Sequence, residues 1–414
     1  MAALTLDTID LINPDRYVQH GYPHEDWTLL RREAPVFRYE RPNLDLPFWA
    51  ITRHKDIIEV SGQPALFRST QRLFVVPHEP GMPEPDEAIL RQLLNMNPPE
   101  HGSYRSIVSR RFTPRAVQQL KNQIEQITAE VLDDIAGREE CDFVTEVSAK
   151  LPLAVIAEMF GIPRADWPMM FRLSNAMIGP ADPEYGGSQT VKEALEQARM
   201  EFFQYFSALC DDRRKHPRDD LASALAAGRV NNEPLPVFEL LSYFALLIVA
   251  GNETTRNATT GGLHALISHP EQWQKLKRDP ALVLSATEEI IRWTSPVIQF
   301  ARIATADTEL QGQKIHEGDV LVLFYPSANR DEDVFEQPFT FDIARSPNYH
   351  LAFGIGEHYC LGANIARLEL QVMFRQLAER FESVELAGPI QRMRSCFVGG
   401  IKHMPIRYRM RPRG

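Results

Sequence analysis

The chain has 414 residues, of which 24% are charged and 44% hydrophobic, and a formal net charge of -10 at pH 7. This composition predicts a globular protein, and the negative charge argues against nucleic acid and anionic membrane surfaces as partners. Four scattered cysteines offer no disulfide framework, which fits the reducing cytoplasm. The N-terminus lacks the basic segment followed by an apolar segment that is typical of a signal peptide. The longest strongly apolar run is Phe244–Gly251, which is far shorter than the roughly 20 residues that a bilayer requires. We therefore expect a cytoplasmic protein without signal peptide or membrane anchor.

Near the N-terminus, two short aromatic and β-branched runs, Val36–Tyr39 and Phe48–Thr52, are separated by a turn-rich link and predict a β-hairpin. The following segment, Phe67–Pro99, contains several prolines and shows weak periodicity. Long loops of this kind are usually functional or disordered, so we expect a loop that covers a substrate, with an ordinary surface loop as the alternative.

A helix is predicted to open at Pro98, and it carries His101 and Arg105 four residues apart on one face. Arg110 and Arg111 follow closely, which makes this stretch a basic exception in an acidic protein. The pattern fits a docking surface for an acidic partner protein, and equally a solvated helix surface.

The middle of the chain is predicted to be helical throughout, from Val117 to about Leu225, and again in a long helix from about Pro236 to Ser268. In the long helix, the apolar run gives way to Ala250–Thr255. Gly251 and a threonine that can bond back to a carbonyl both weaken a helix, so we expect a local kink or opening there.

After the long helix, Glu289 and Arg292 lie three residues apart on a predicted helix, where they can form an ion pair. The residues from Val297 to Arg302 then read as a strand. Near the C-terminus, the residues from Ser395 to Lys402 predict a turn between strands.

The most informative stretch is Phe353–Gly362, in which glycines flank Cys360 directly before a helix-like run. A thiolate at a helix start is stabilised by free backbone N–H groups, which lowers the thiol pKa and favours metal binding. Zinc and iron–sulfur sites need several cysteines at short spacing, and the nearest other cysteine is Cys396. A single cysteinate between glycines suits the axial ligand of a haem.

This stretch resembles the haem-binding loop of the cytochrome P-450 monooxygenases: Phe, Gly-x-Gly, x-His-x-Cys, x-Gly. The residues Ala250–Thr255 resemble the family's oxygen-binding groove, and Glu289-x-x-Arg292 resembles its Glu-x-x-Arg motif. The motifs occur in the family's order, and the resemblance runs from the hairpin to the last strand. It implies a mainly α fold with a smaller β region, formed by residues 1–414 as a single domain, with haem b between a long central helix and the cysteine loop.

The resemblance also implies roles for individual residues in holding the haem. Cys360 would be the iron ligand, and Glu289 with Arg292 would lock the core beneath the haem. The propionates would be held by cationic and imidazole groups, and other residues would lie against the macrocycle. These cofactor contacts are His101, Arg105, Arg302, His358, Phe353, Gly354, Ala250 and Gly251.

For catalysis, the resemblance implies an acid and an alcohol beside the oxygen, because cleaving the O–O bond takes two protons. Glu253 would relay protons from solvent and Thr254 would hydrogen-bond the oxygen. Leu246, Ala250 and Thr254 are spaced four residues apart and share one helix face. The expected substrate contacts are Leu246, Ala250, Val297, Ile298, Phe397 and Val398.

Electrons would come from a ferredoxin-type protein with an NAD(P)H-dependent reductase. The expected docking surface consists of Arg105, Arg110, Arg111 and Arg367. The sequence looks closest to bacterial terpene-alcohol and steroid hydroxylases, and therefore predicts O2-dependent hydroxylation of a hydrophobic small molecule. Fatty acids and other lipophilic substrates remain alternatives. A haem-based sensor or carrier without turnover is a further alternative, against which the Glu253–Thr254 pair argues, since a carrier need not deliver protons.

Overall fold

The computed structural model describes residues 4–41, 44, 46–69, 73–77, 91–178 and 191–411. Helix accounts for 54% of the structure, which confirms the mainly α prediction. The α-helices, in chain order, are α1 (Pro14–His20), α2 (His24–Glu33), α3 (His54–Ser61), α4 (Glu100–Ser109), α5 (Pro114–Gln119), α6 (Lys121–Asp133), α7 (Lys150–Met159), α8 (Trp167–Ile178), α9 (Val191–Lys215), α10 (Leu221–Ala226), α11 (Val237–Ser268), α12 (Pro270–Arg278), α13 (Val283–Thr294), α14 (Tyr325–Ala328) and α15 (Ala363–Arg380).

The strands form one five-stranded sheet and several smaller sheets. They are β1 (Val36–Tyr39), β2 (Phe48–Ile51), β3 (Phe67–Arg68), β4 (Glu140–Asp142), β5 (Arg229–Val230), β6 (Glu233–Pro234), β7 (Gln299–Ala304), β8 (Thr308–Leu310), β9 (Gln313–Ile315), β10 (Val320–Phe324), β11 (Phe381–Leu386), β12 (Gln391–Arg392), β13 (Ile401–His403) and β14 (Pro405–Met410). The five-stranded sheet has the order β1-β2-β10-β7-β3. The antiparallel β1–β2 pair confirms the predicted hairpin, with Phe37 opposite Ala50.

The long helix α11 runs through the core of the protein. Among the described residues it is the one helix long and apolar enough to span a bilayer, but 61% of its most apolar window is buried within the protein. It begins directly after Pro236 and ends before Pro270, as expected from the proline restrictions on helix interiors. At Gly262 an added Cβ would lie 2.5 Å from the Phe374 ring and 2.7 Å from Ile290, so glycine allows α11 to touch α13 and α15.

One prediction about the middle of the chain was wrong. The residues Glu140–Asp142 form strand β4, because Cys141 pairs with Ile406 at the edge of β14. A short segment cannot reveal such a partner from its own pattern. Helix α11 runs through Gly251, and the Thr254 hydroxyl bonds back to the Ala250 carbonyl at 2.9 Å, while the local kink or opening stays a prediction.

The predicted loop from Phe67 to Pro99 lies only partly within the described residues. It opens with strand β3 at Phe67–Arg68, and a 3-10 turn forms at Leu93–Asn95. Residues 70–72 and 78–90 lie outside the described residues, so its substrate-covering role stays a prediction.

The ion pair predicted on α13 forms in the core. Arg292 Nη2 donates to Glu289 Oε1 at 2.7 Å, and neither side chain is exposed to solvent. The guanidinium also donates to the carbonyls of Asn329 and Pro338. Glu289 in turn accepts from Arg345, so every part of this charged network has partners, as burial requires.

Candidate functional site

A large cavity separates α11 from the cysteine loop. About 1630 Å³ of space in and at the mouth of this cavity, open solvent included, holds no protein atoms. On one side the wall includes Ala250 and Thr254, and on the other Phe353, Gly354 and Cys360. The fold therefore brings together the two stretches that the sequence singled out, which are about a hundred residues apart.

The cysteine loop is shaped by two glycines with left-handed backbone angles, Gly354 (φ 68°) and Gly356 (φ 74°). These angles disfavour other residues. The loop closes through the Cys360 N–H, which donates to the Phe353 carbonyl at 2.9 Å. Burial raises the pKa of the Cys360 thiol, and the backbone N–H of Gly362 opposes this. In the protein alone, the lowering of this pKa that was expected from the helix start is therefore smaller than its raising by desolvation.

A cluster of cationic and imidazole groups faces the same cavity. The rings of His101 and His358 lie 4.4 Å apart between centroids, and Arg302 and Arg105 join them in the cavity wall. Arg302 is 6% exposed, and its described hydrogen bond goes to the carbonyl of the neighbouring residue Ala301. Within the described chain, no carboxylate pairs with any of these four groups.

The pKa values in this cluster indicate which kind of ligand would fit it. Burial, together with the positive charges of the nearby Arg302, His101 and Arg105, lowers the pKa of His358 to about 3. The pKa of His101 is also lowered by burial and by Arg105, and its buried Nε2 has no hydrogen-bond partner among the described residues. A buried anion would relieve both effects, because it would pair with the cations and accept from the imidazole. These residues fit the propionates of a haem, as Cys360 fits its iron.

Helix α11 supplies the opposite wall through Leu246, Ala250, Gly251 and Thr254, as predicted. Glu253 is buried but does not line the cavity, because neighbouring helical residues point about 100° apart. Its carboxylate instead accepts hydrogen bonds from residues on its own helix. Burial raises its pKa, against an opposing charge effect from Arg256.

One predicted substrate contact was wrong in position. Val297 lines the cavity, but Ile298 is fully buried in the apolar cluster under the N-terminal segment. The side chains of an extended segment alternate between two faces, so Val297 and Ile298 cannot both face the ligand. Phe300, which the sequence reading missed, also lines the cavity, and Arg302, two residues further along β7, lies on the same face of that strand.

The other two predicted contacts pack against residues of this wall. Phe397 stacks on Phe74 at 3.9 Å and its ring lies 5.7 Å from that of Phe300. Val398 forms an isolated bridge with Val297. Neither is among the described residues that line the cavity, so their contact with substrate stays a prediction.

A further acid in the cavity wall, Glu369, escaped the sequence reading. It is 4% exposed and its Oε2 has no hydrogen-bond partner among the described residues. Burial raises its pKa well above the ordinary value. Helical spacing could have found it, since Ile365, Glu369 and Leu370 share the face of α15 that lines the cavity.

The four arginines of the predicted docking surface have different environments. Arg105 lines the cavity and donates to the Tyr359 carbonyl at 2.7 Å. Arg111 pairs with Asp219 at 2.8 Å, and Arg367 pairs with Glu288 at 2.7 Å. The side chain of Arg110 is exposed and has no described carboxylate partner.

Comparison with known proteins places this geometry in a family. The family profile described as Cytochrome P450 matches residues 106–395. Linalool 8-monooxygenase of Pseudomonas putida is 37% identical over 404 residues, which covers 96% of this chain and 98% of that protein. A steroid C26-monooxygenase of Rhodococcus jostii is 36% identical over 407 residues, 97% of this chain and 84% of that protein.

A solved structure agrees with the sequence comparisons. The Mycobacterium marinum cytochrome P450 CYP268A2 in complex with pseudoionone has a TM-score of 0.88 and 34% identity, covering 98% of this chain and 100% of that chain. The shared fold and the relatives' monooxygenase names agree with the cysteine loop and cavity described above. The chain therefore belongs to the cytochrome P450 family, the haem-containing monooxygenases, and hydroxylates hydrophobic small molecules.

Proposed function

We propose that this monooxygenase hydroxylates a neutral terpenoid or steroid-like substrate in the cytoplasm, with haem b as cofactor and a ferredoxin-type electron donor served by an NAD(P)H-dependent reductase. Residues 1–414 would act as a single domain. This is supported by the main apolar cluster, which joins residues from Leu93 to Tyr408. The observation that carries the proposal is the cavity in which Cys360 faces an apolar pocket beside unpaired cations.

In this proposal, Cys360 ligates the iron and four side chains hold the propionates. Arg302 and Arg105 supply positive charge, and His101 and His358 supply hydrogen bonds. Their lack of described acidic partners supports the assignment, because a buried guanidinium without a counter-charge is costly. When bound, the haem supplies dioxygen activation, which a thiolate ligand promotes by favouring O–O cleavage.

The protein's part in the chemistry is to hold and deliver protons. Thr254 lines the cavity, and its hydroxyl now donates to the Ala250 carbonyl at 2.9 Å. By rotating, this hydroxyl can donate into the cavity while remaining an acceptor for a second proton. Glu253, the next residue along, is the acid that would resupply it. Glu289 and Arg292 would keep the core beneath this site rigid.

The lining of the cavity supports a lipophilic substrate. Apart from the cationic cluster and Glu369, the described wall consists of uncharged side chains, and large apolar groups dominate it: Leu93, Leu94, Leu246, Leu247, Val297 and Phe300. Such a wall binds ligands through burial of apolar area. The named substrates of the relatives, linalool and steroids, are of this type.

Electron delivery would use the face next to the cysteine loop. Of the four arginines proposed for this surface, Arg110 is exposed and has no described carboxylate partner, whereas Arg111 and Arg367 are held in ion pairs with Asp219 and Glu288. An acidic partner would have to compete with these carboxylates, so we expect Arg110 to contribute most to docking.

A substrate titration tests the proposal. Purified ferric protein is titrated with linalool, testosterone and palmitate while the haem Soret band is followed. A shift from low to high spin with linalool or testosterone, together with hydroxylated product when NADPH and a ferredoxin system are added, is the expected result. A shift with palmitate alone would favour a lipid hydroxylase, as in the 37% identical methyl-branched lipid omega-hydroxylase of Mycobacterium tuberculosis. Tight binding without product from any of them would contradict turnover.

A further inference from the structure

The carboxylate of Glu253 is held by its neighbours on the next helical turn. Arg256 Nη2 donates to Glu253 Oε1, and Asn257 Nδ2 donates to the same oxygen at 3.3 Å. Glu253, Arg256 and Asn257 are all buried, and none of them lines the cavity. The acid is therefore turned away from Thr254, the residue it would supply with protons.

The ion pair is not explained by stability alone. Arg256 is 1% exposed, and its Nε has no hydrogen-bond partner among the described residues. A buried pair with incomplete hydrogen bonding often contributes little stability, because the desolvation cost cancels the attraction. Because Arg256 holds the Glu253 carboxylate in place, the ion pair points to a functional role.

The same pair of residues contacts the C-terminal turn, which we define as residues 393–400. The Met393 sulfur accepts from Arg256 at 3.5 Å and from Asn257 at 3.8 Å. At the other end of the turn, a Cβ on Gly400 would overlap the Asn257 amide. Within the turn, the Met393 N–H donates to the Gly400 carbonyl at 3.0 Å, so both contacts belong to one unit.

The C-terminal turn also contacts the wall of the cavity. Val398 pairs with Val297, which lines the cavity, and the Gly399 N–H donates to the Pro296 carbonyl at 2.8 Å. Val297 and Pro296 thus join the cavity wall to the turn, and the turn lies directly on Asn257. The contacts form a continuous path from the cavity wall to the Glu253 carboxylate.

We propose that Arg256 and Asn257 are positioning residues that hold Glu253 away from the cavity, and that the C-terminal turn releases Glu253 when a ligand displaces Val297. Proton delivery is then tied to the presence of substrate. This inference rests on the proton-supplying role proposed above for Glu253.

The first test reads the protonation of Glu253 directly, in ferric protein without substrate. The infrared carbonyl band of a protonated carboxyl is assigned by its loss in Glu253→Gln. Burial raises the pKa of Glu253, and the positive charge of Arg256 opposes this rise. Asn257 donates a hydrogen bond to the Glu253 carboxylate, and Met393 carries no charge. We expect no band in the wild type at pH 7, a band in Arg256→Gln, and a wild-type spectrum in Arg256→Lys. An unchanged spectrum in Arg256→Gln would overturn the restraint.

The second test follows the fate of oxygen without any organic substrate, using NADPH with a plant-type ferredoxin and its reductase. One NADPH and one further proton reduce O2 to hydrogen peroxide, whereas two NADPH and two further protons reduce it to two waters. Timely proton delivery favours water. The peroxide formed per NADPH is compared at a matched rate of NADPH oxidation, so that differences between variants report on proton delivery rather than on electron supply.

The two classes of variant should move this ratio in opposite directions. Glu253→Gln should raise peroxide per NADPH, and Arg256→Gln should lower it by about twofold or more. Asn257→Leu keeps the ion pair but loses the contact with Met393, so it should also lower the peroxide formed per NADPH. It replaces Arg256→Gln as the test if that variant does not fold. A rise or no change in both Arg256→Gln and Asn257→Leu refutes the inference. No change in Glu253→Gln refutes instead the proposed role of Glu253.

Discussion

The substitution Gly262→Ala tests the packing that places α11 against the cavity-forming helices. The new Cβ would lie 2.5 Å from the Phe374 ring and 2.7 Å from Ile290, and both partners are fully buried. Helix propensity alone would favour alanine by about 1 kcal/mol. Overpacking in a core that cannot yield costs about 1–3 kcal/mol, and a contact this short belongs at the upper end. We expect a net destabilisation of about 1–2 kcal/mol.

Thermal unfolding of the haem-bound protein measures this effect. With an unfolding entropy of about 2.1 cal/mol/K per residue over 414 residues, each kcal/mol shifts the melting temperature by only about 1 °C. A fall of roughly 1–2 °C is therefore expected. The matched control is Gly102→Ala on α4, where an added Cβ meets nothing within 4 Å. It should stabilise by about 0.5–1 kcal/mol. A Gly262→Ala protein as stable as Gly102→Ala would refute the reasoning.

Three further predictions concern the site. Thr254→Ala should retain haem and consume NADPH but yield several-fold less product, with Thr254→Ser near wild type; equal product per NADPH in Thr254→Ala would contradict the role of this hydroxyl. Arg302→Leu should lose haem more readily than Arg302→Lys during gel filtration, and equal retention would argue against a propionate contact. Burial tends to raise the pKa of Glu288, but hydrogen bonds from His350 and Arg367 outweigh it and hold this pKa at about 2 rather than 4.5. The stabilisation from Glu288 is thus complete above about pH 4.5 and is lost as pH falls toward 2. The difference in melting temperature between wild type and Glu288→Gln should shrink over that range, and a difference independent of pH would contradict the shift.

Several features could be predicted from the sequence because they depend on local patterns. The hairpin, the long helix and the Glu289–Arg292 pair each follow from spacing within a short segment, and the structure contains all three. The cysteine loop could be recognised because its glycines and Cys360 have fixed positions relative to one another. Local rules also failed where alternation was ignored, as at Ile298, which faces the core.

Other features depend on residues that are distant in sequence. Strand β4 forms because it pairs with β14, and nothing in the residues Glu140–Asp142 predicts this pairing. Phe397 stacks on Phe74, a residue from the opposite end of the chain, and no local pattern predicts this contact. The surroundings of Glu253 likewise depend on a distant segment, since the turn that contacts its partners Arg256 and Asn257 comes from residues 393–400.

The amino-acid sequence by itself determined the chemical groups of this protein: the thiol of Cys360, which is the proposed haem ligand, an acid beside an alcohol at Glu253 and Thr254, and the basic residues His101, Arg105 and Arg302. Only the tertiary structure decided which of them face one cavity. Thr254 does and Glu253 does not, although they are neighbours in the chain. The physical reason is that side-chain direction and burial depend on which surfaces pack together, and these surfaces come from segments hundreds of residues apart.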